Sequence, residues 1–217
     1  MIPNGVDTAA FDRAAPLSRA ALGLPADAHL ALAIGRLDVQ KGLPYLLEAA
    51  ARVAAVRPDW HLALVGDGPE RSAVLARVAG DPVLAGRVHW LGKRDDVPSL
   101  LRTADLLVLA SLWEGMPNVV LEAMAAGRAV VATDVEGTEE LVVPGRTGWL
   151  VPPRDGPALA AALLEAAADP ERRRRYGATG RARVDAEYTP DRVVDAYERL
   201  WAAILGLELE SAAPRPA

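Results

Sequence analysis

Glu114-Gly-Met-Pro-Asn-Val-Val-Leu-Glu122 is the stretch whose reading decides the fold. An apolar run over residues 106–110 ends just before it, and a helix-like apolar run over 119–126 begins inside it. Pro117 suits the first turn of a helix, where a missing N–H costs nothing. The stretch therefore reads as strand, tight turn and helix start. The free N–H groups of a helix start, with the positive end of its dipole, form an anion site. Glu114 sits at the turn, and Glu122 lies about one helical turn in, on the same face as Asn118. Its neighbours Val120, Leu121, Ala123, Met124 and Ala125 are apolar, so the helix reads as buried. A buried carboxylate needs hydrogen-bond partners, and a ligand with hydroxyls would serve. A Glu early in a helix also serves the dipole or a cap, so this stretch alone leaves ligand and structural readings open.

Outward from this point the same alternation repeats. Residues 30–34, 61–65, 88–91, 129–133 and 148–151 read as further short strands. Residues 41–56, 70–79, 97–103, 139–142, 156–168, 171–186 and 190–205 read as helices. In the last of these, Val193, Tyr197, Leu200, Trp201 and Ile204 share one face. The strands are continuous apolar runs alternating with helices, which predicts an α/β fold: a six-stranded parallel sheet covered on both faces. In the doubly wound order 3-2-1-4-5-6, strands one and four are neighbours at the reversal point, where ligands bind beyond the strands' carboxyl ends. Arg36 and Lys41 follow strand one, and the residues from Glu114 to Asn118 follow strand four. Two cations and a helix start would then face one crevice. That favours a ligand carrying phosphate, since Arg donates to phosphate in pairs and Lys acts as a point charge.

Composition narrows the function classes. The chain has 217 residues, 51% hydrophobic, with a mean hydropathy of +0.11 and a net charge of -5. That is enough for a substantial core, and it offers no electrostatic case for nucleic acid. There are 0 cysteines, hence no disulfide framework and no thiolate metal site. No stretch approaches the roughly 20 apolar residues of a membrane span. The amino terminus lacks the regions of a signal peptide, and these features fit a cytoplasmic protein.

The sequence resembles the C-terminal, donor-binding half of retaining GT-B glycosyltransferases, the glycosyl transferases group 1 or GT4 family. The matching pieces run in order through most of the chain. They are Ile2-Pro-Asn-Gly-Val-Asp7, Gly35-Arg-Leu37, Gln40-Lys-Gly42, Leu64-Val-Gly-Asp-Gly-Pro69 and Val88-His-Trp-Leu-Gly92. They continue with Ala104-Asp-Leu106, Ser111-Leu-Trp-Glu-Gly-Met-Pro-Asn118, Glu122-Ala-Met-Ala125, Val130-Val-Ala-Thr133, Gly145-Arg-Thr-Gly148 and Pro152. Glu114 and Glu122 form the family's E-x7-E signature.

The resemblance implies a retaining hexosyl transferase that takes a nucleotide sugar, a UDP- or GDP-sugar being the natural first guess, with a lipid, glycan or small-molecule acceptor. It implies that Arg36 and Lys41, beside Gly35, bind the donor diphosphate. Glu122 would hold the ribose hydroxyls, and Glu114 would lie near the donor sugar and reaction centre. The backbone of Gly115, Met116, Pro117, Asn118 and Val119 would touch sugar and phosphates. Gly66 would line the same crevice, and Lys93 and Arg94 would fall on the base-binding loop. No cofactor or metal is implied, and the chain lacks the Asp-x-Asp pair of metal-dependent transferases. The family also has an N-terminal acceptor-binding domain that is missing here, and through which peripheral membrane association remains open. On this reading residues 1–187 form the donor domain. Residues 188–207 form a helix that would pack on the missing domain, and 208–217 form a flexible tail. Val135-Glu-Gly137 departs from a usual Gly-Gly pair.

Two other readings of the chain compete. A non-catalytic nucleotide-sugar binding module would share every local residue. An oxidoreductase on the same fold is disfavoured, because Gly66-Asp-Gly-Pro-Glu-Arg71 only half matches a dinucleotide fingerprint and follows the second strand. His29, His61 and His89 are spaced for neither a metal nor a triad and read as structural. Residues 172–175, all Arg, read as a solvated face.

Overall fold

The computed structural model describes residues 2–207, so the expected tail at 208–217 lies outside the described residues. The strands are β1 (His29–Ile34), β2 (Trp60–Val65), β3 (Val88–Gly92), β4 (Leu106–Leu109), β5 (Ala129–Thr133) and β6 (Gly148–Val151). They form one six-stranded sheet in the order β3-β2-β1-β4-β5-β6, with every pairing parallel. This is the doubly wound order expected from the sequence. The helices are α1 (Thr8–Arg13), α2 (Leu43–Val56), α3 (Arg71–Ala79), α4 (Val97–Thr103), α5 (Asn118–Ala125), α6 (Gly156–Ala168), α7 (Pro170–Glu187) and α8 (Pro190–Leu205).

The continuous apolar strands serve two cores at once. Leu62, Leu64, Leu106 and Val108 point to the layer containing α2 and α6. Leu30, Leu32, Ala63, Leu107 and Leu109 point to the layer containing α4 and α5. Successive side chains alternate between the faces, so each strand must be apolar throughout. None of the described helices is long and apolar enough to cross a membrane.

Three local differences from the sequence reading have physical causes. The helix expected over 41–56 is broken: a 3-10 turn at Val39–Lys41 ends in Gly42, and α2 begins only at Leu43. Gly42 has φ +58°, and a Cβ there would lie 2.0 Å from the Ala110 carbonyl oxygen. The chain must kink there so that the loop after β1 can lie against the end of β4. Residues 136–141 form hydrogen-bonded turns rather than a helix. Gly137, at φ +78°, brings that loop so close that a Cβ would sit 1.8 Å from the Gly115 carbonyl oxygen. The glycine that remains of the expected pair is thus at the point of closest approach to the Glu114 turn. Third, Pro117 sits one residue before α5, at its N-cap, rather than within its first turn.

The Arg172–Arg175 run is not simply solvated. Arg173, whose side chain is 11% exposed, reaches Asp105 at 3.4 Å and donates to the Ala166 carbonyl at 2.7 Å. At the chain's other extreme, α8 leaves Tyr197, Leu200, Trp201 and Ile204 exposed, while Val193 is half-buried.

Candidate active site

β1 and β4 lie side by side at the point where the strand order reverses, and their following loops cross-link. Leu112 N–H donates to the Gln40 carbonyl at 2.7 Å, and Gln40 Nε2 donates to the Trp113 carbonyl at 2.9 Å. The two loops enclose a cleft of about 500 Å³, with Arg36, Asp38 and Lys41 on one wall and Glu114, Pro117, Asn118 and Glu122 on the other. Ile34, Gly35, Gln40, Met116 and Val119 complete that lining. The cleft continues past Gly35 and Arg36 into a second hollow of about 780 Å³ over Gly66, Asp67 and Lys93.

Gly66 makes the junction of these hollows possible. Its φ is +128°, and a Cβ would lie 1.9 Å from the Gly35 carbonyl oxygen. Any side chain there would push the turns after β1 and β2 apart.

The cations differ in character. The Arg36 side chain is 71% exposed and only loosely paired, its Nε lying 3.7 Å from Asp38 Oδ2. Lys41 is 20% exposed, and its Nζ lies 2.5 Å from Glu114 Oε1. Glu114, 7% exposed, also accepts from Ser111 Oγ at 2.6 Å. Of the residues the sequence placed here, Gly115 lies exposed at the tip of the turn. Arg94 is folded back on Asp96, with Nη2 2.6 Å from Oδ2, and does not line either hollow. Lys93 does line the second hollow.

Helix α5 begins with no side chain capping its first turn, so its N-terminal dipole faces the cleft uncompensated. Glu122 lies one turn further in. Burial pushes its carboxyl above the ordinary value, and no side chain among the described residues donates to it. In the unfolded chain this group ionises at lower pH than in the folded one. The resulting cost is therefore present above the shifted pKa and absent below the ordinary carboxylate range. Glu122→Gln is expected to raise Tm at pH 7, because it removes that cost. The gain should vanish near pH 4, as thermal melts at the two pH values would reveal.

Three contributors escaped the sequence reading. Asn4 donates through Nδ2 to Asn118 Oδ1 at 2.8 Å, and its N–H reaches Met116 Sδ at 3.0 Å. The amino-terminal segment thus buttresses the turn. Ser111 and Thr133 support Glu114 from behind. All three lay within motifs quoted from the sequence, and only the spacing to their partners was hidden.

At the opposite end of the sheet, His61 Nδ1 and His89 Nε2 lie 2.9 Å apart. Burial lowers the pKa of both, so the pair is held neutral. No group of three or more metal-ligating side chains occurs among the described residues.

Comparison with known proteins places this arrangement. The family model described as "Glycosyl transferases group 1" matches residues 28–169. The phosphatidyl-myo-inositol mannosyltransferase of Mycolicibacterium smegmatis is 36% identical over 221 residues, covering 99% of this chain and 55% of that protein. Among solved structures, the sucrose-phosphate synthase of Thermosynechococcus elongatus superposes with TM-score 0.82 at 33% identity, over 94% of this chain and 52% of that one. Anabaena Alr3699/HepE in complex with UDP and glucose superposes with TM-score 0.81 at 26% identity, over 95% and 56%. The chain thus spans about half the length of these three proteins. Its doubly wound sheet, with Glu114 and Glu122 eight residues apart at the switch point, is the Rossmann-like half of a GT-B fold. With the family model covering most of the chain and the mannosyltransferase aligning along nearly all of it, this chain belongs to the glycosyl transferases group 1 family.

Proposed function

We propose that the cleft binds a nucleotide sugar by its diphosphate and presents the sugar for transfer with retention of anomeric configuration. The observation that carries this reading is the meeting of Arg36, Lys41 and the uncapped start of α5 around one cleft beside a half-buried Glu122 to which no side chain among the described residues donates. In support, the Anabaena relative of the same fold is a complex with UDP and glucose.

The roles proposed are those the family resemblance implies, and the positions in the cleft are compatible with them. Arg36 and Lys41 hold the diphosphate, and the first N–H groups of α5 add their dipole to it. Glu122 accepts from the ribose hydroxyls, which relieves a buried carboxylate of its missing partners. The base occupies the hollow over Gly66 and Lys93. The sugar lies toward Glu114. In the reaction the anomeric C–O bond breaks, and its electron pair departs with the diphosphate. The acceptor oxygen forms the new bond on the same face, and its proton passes to the leaving phosphate oxygen. Charge grows on the diphosphate as the bond stretches, so preorganised cations and helix N–H groups stabilise the transition state more than the ground state. The group transferred is a hexose. The acceptor is held by an additional N-terminal domain, against which the apolar face of α8 packs.

Arg36→Ala tests the diphosphate assignment. Charge-assisted hydrogen bonds are worth about 1.5–3 kcal/mol, so calorimetry should find UDP or GDP bound about 10- to 100-fold more weakly. Equal affinity in the two proteins would remove the site. Glu122→Gln tests the ribose assignment in a different way. It should weaken ribonucleotides by about tenfold, one hydrogen bond to a charged group, and leave 2′,3′-dideoxy analogues unchanged.

A further inference from the structure

The Lys41–Glu114 pair is held from behind by a chain of hydrogen bonds that spans two strands. Ser111 follows β4 and is fully buried, at 0% exposure. Its hydroxyl donates to Glu114 Oε1 at 2.6 Å, the same oxygen that Lys41 Nζ approaches at 2.5 Å. Its carbonyl accepts from Thr133 Oγ1 at 2.6 Å, and Thr133, itself 3% exposed, closes β5. The neighbouring strand therefore fixes the backbone that carries the hydroxyl. Glu114 Oε2, by contrast, accepts among the described residues only from Gln40 Nε2, at 3.4 Å.

This asymmetry has a chemical meaning. A serine hydroxyl has one proton to give. By giving it to Oε1, Ser111 selects which carboxylate oxygen is spent within the protein and which is left for an outside donor. A quarter turn of the Glu114 carboxylate about its last torsion would lose both the Ser111 and the Lys41 bonds, and a half turn only exchanges two equivalent oxygens. A buried network whose members are each satisfied is stiff, and stiffness at this point sets where the ammonium lies.

We propose that Ser111, backed by Thr133, is a positioning residue. It locks Glu114 so that Oε1 holds the Lys41 ammonium at the diphosphate end of the cleft and Oε2 remains the acceptor for a hydroxyl of the donor sugar. The inference rests on the diphosphate reading of the cleft given above. Ser111 does not touch the substrate, and its whole effect passes through Glu114.

That last condition makes the proposal testable on the 217-residue chain. Wild type, Ser111→Ala, Glu114→Gln and the double variant form a cycle, since residues acting through one another are non-additive. Two readouts are needed. In the free chain, the Lys41 ammonium held on a buried carboxylate should give a slowly exchanging ¹⁵N signal. Ser111→Ala should speed that exchange severalfold, Glu114→Gln should do so at least as much, and the double variant should match Glu114→Gln. In calorimetry with UDP and GDP, Ser111→Ala should weaken binding by about 3- to 10-fold in the wild-type background. It should add less than about twofold in the Glu114→Gln background. Equal losses in both backgrounds would make Ser111 a merely structural serine and overturn the proposal. If wild type binds neither nucleotide, the diphosphate reading fails on its own, and the ammonium signal alone decides. An unchanged signal in Ser111→Ala then overturns the positioning role, and a faster-exchanging one upholds it.

Discussion

Lys41→Ala is expected to weaken nucleoside diphosphate binding by at least about 100-fold, more than any other single substitution in the cleft. Two losses combine. The first is the ammonium itself, worth about 1.5–3 kcal/mol as a charge-assisted donor. The second is what Lys41 leaves behind. Glu114 is 7% exposed, and Lys41 is the only cation bonded to it among the described residues. Without the ammonium, a carboxylate stands without its cation at the edge of the proposed diphosphate site, where it would repel such a ligand. Breaking one partner out of a buried pair also destabilises the fold, by about 3–5 kcal/mol in general. A value nearer the lower end is expected here, because Ser111 and Gln40 still donate to the carboxylate. Urea melts would record that loss, and calorimetry would record the affinity. Adding Glu114→Gln to Lys41→Ala should recover most of the stability and the share of the affinity lost to repulsion, but not the share the ammonium supplies, because the double variant removes the orphan charge without restoring the donor. A Lys41→Ala protein that binds UDP or GDP within about threefold of wild type would dismiss Lys41 from the diphosphate site.

The contrast between Lys41 and Arg36 explains what was legible in the sequence. Both cations were placed after β1 from spacing alone, Arg36 just past the strand and Lys41 at the start of the expected helix, because strand, loop and helix follow from apolar periodicity and from punctuation by glycine and proline. The strand order followed in turn, since right-handed crossovers between buried parallel strands leave few alternatives. The sequence did not say that Lys41 would be bound to Glu114, 73 residues away, while Arg36 would lie open. Such pairings are set by where loops from separate strands meet. Ser111 and Asn4 were hidden for the same reason. A serine three residues before a glutamate carries no signal until β5 supplies Thr133 to hold it. Gly42 shows the opposite failure. Helical periodicity runs straight through residues 41–56, but one left-handed residue near the Ala110 carbonyl overrides it. Local propensity describes the segment, and close approach of two backbones decides its break.

Residues 1–217 on their own are expected to bind donor nucleotide but to transfer sugar at least about 10⁴-fold more slowly than the same residues joined to an acceptor-binding domain. Binding requires only what this half of the fold holds: a sheet with a core on each face, and the cleft between the loops after β1 and β4. Transfer requires more. Arg36 is 71% exposed, so its end of the cleft is open to water on one side. Positioning an acceptor against the anomeric carbon is worth effective concentrations of about 10⁵–10⁸ M in well-oriented cases, and a single wall supplies none of it. The surface that would carry the second wall is marked by chemistry rather than by length. Trp201 is 59% exposed and Ile204 70%, on the same helix face as Tyr197 and Leu200. Contiguous apolar area of this kind is costly on a lone surface and points to packing. Replacing Trp201 and Ile204 by Ser should therefore leave nucleotide affinity in the 217-residue chain within about twofold. In an enzyme that carries the acceptor domain, the same pair should lower kcat and loosen the association of the two halves. The measurements are product formation from UDP- and GDP-sugars with a panel of lipid and sugar acceptors, and nucleotide calorimetry on each protein. Robust transfer by the 217 residues alone would require an acceptor site within this fold and would overturn the two-walled reading of the cleft.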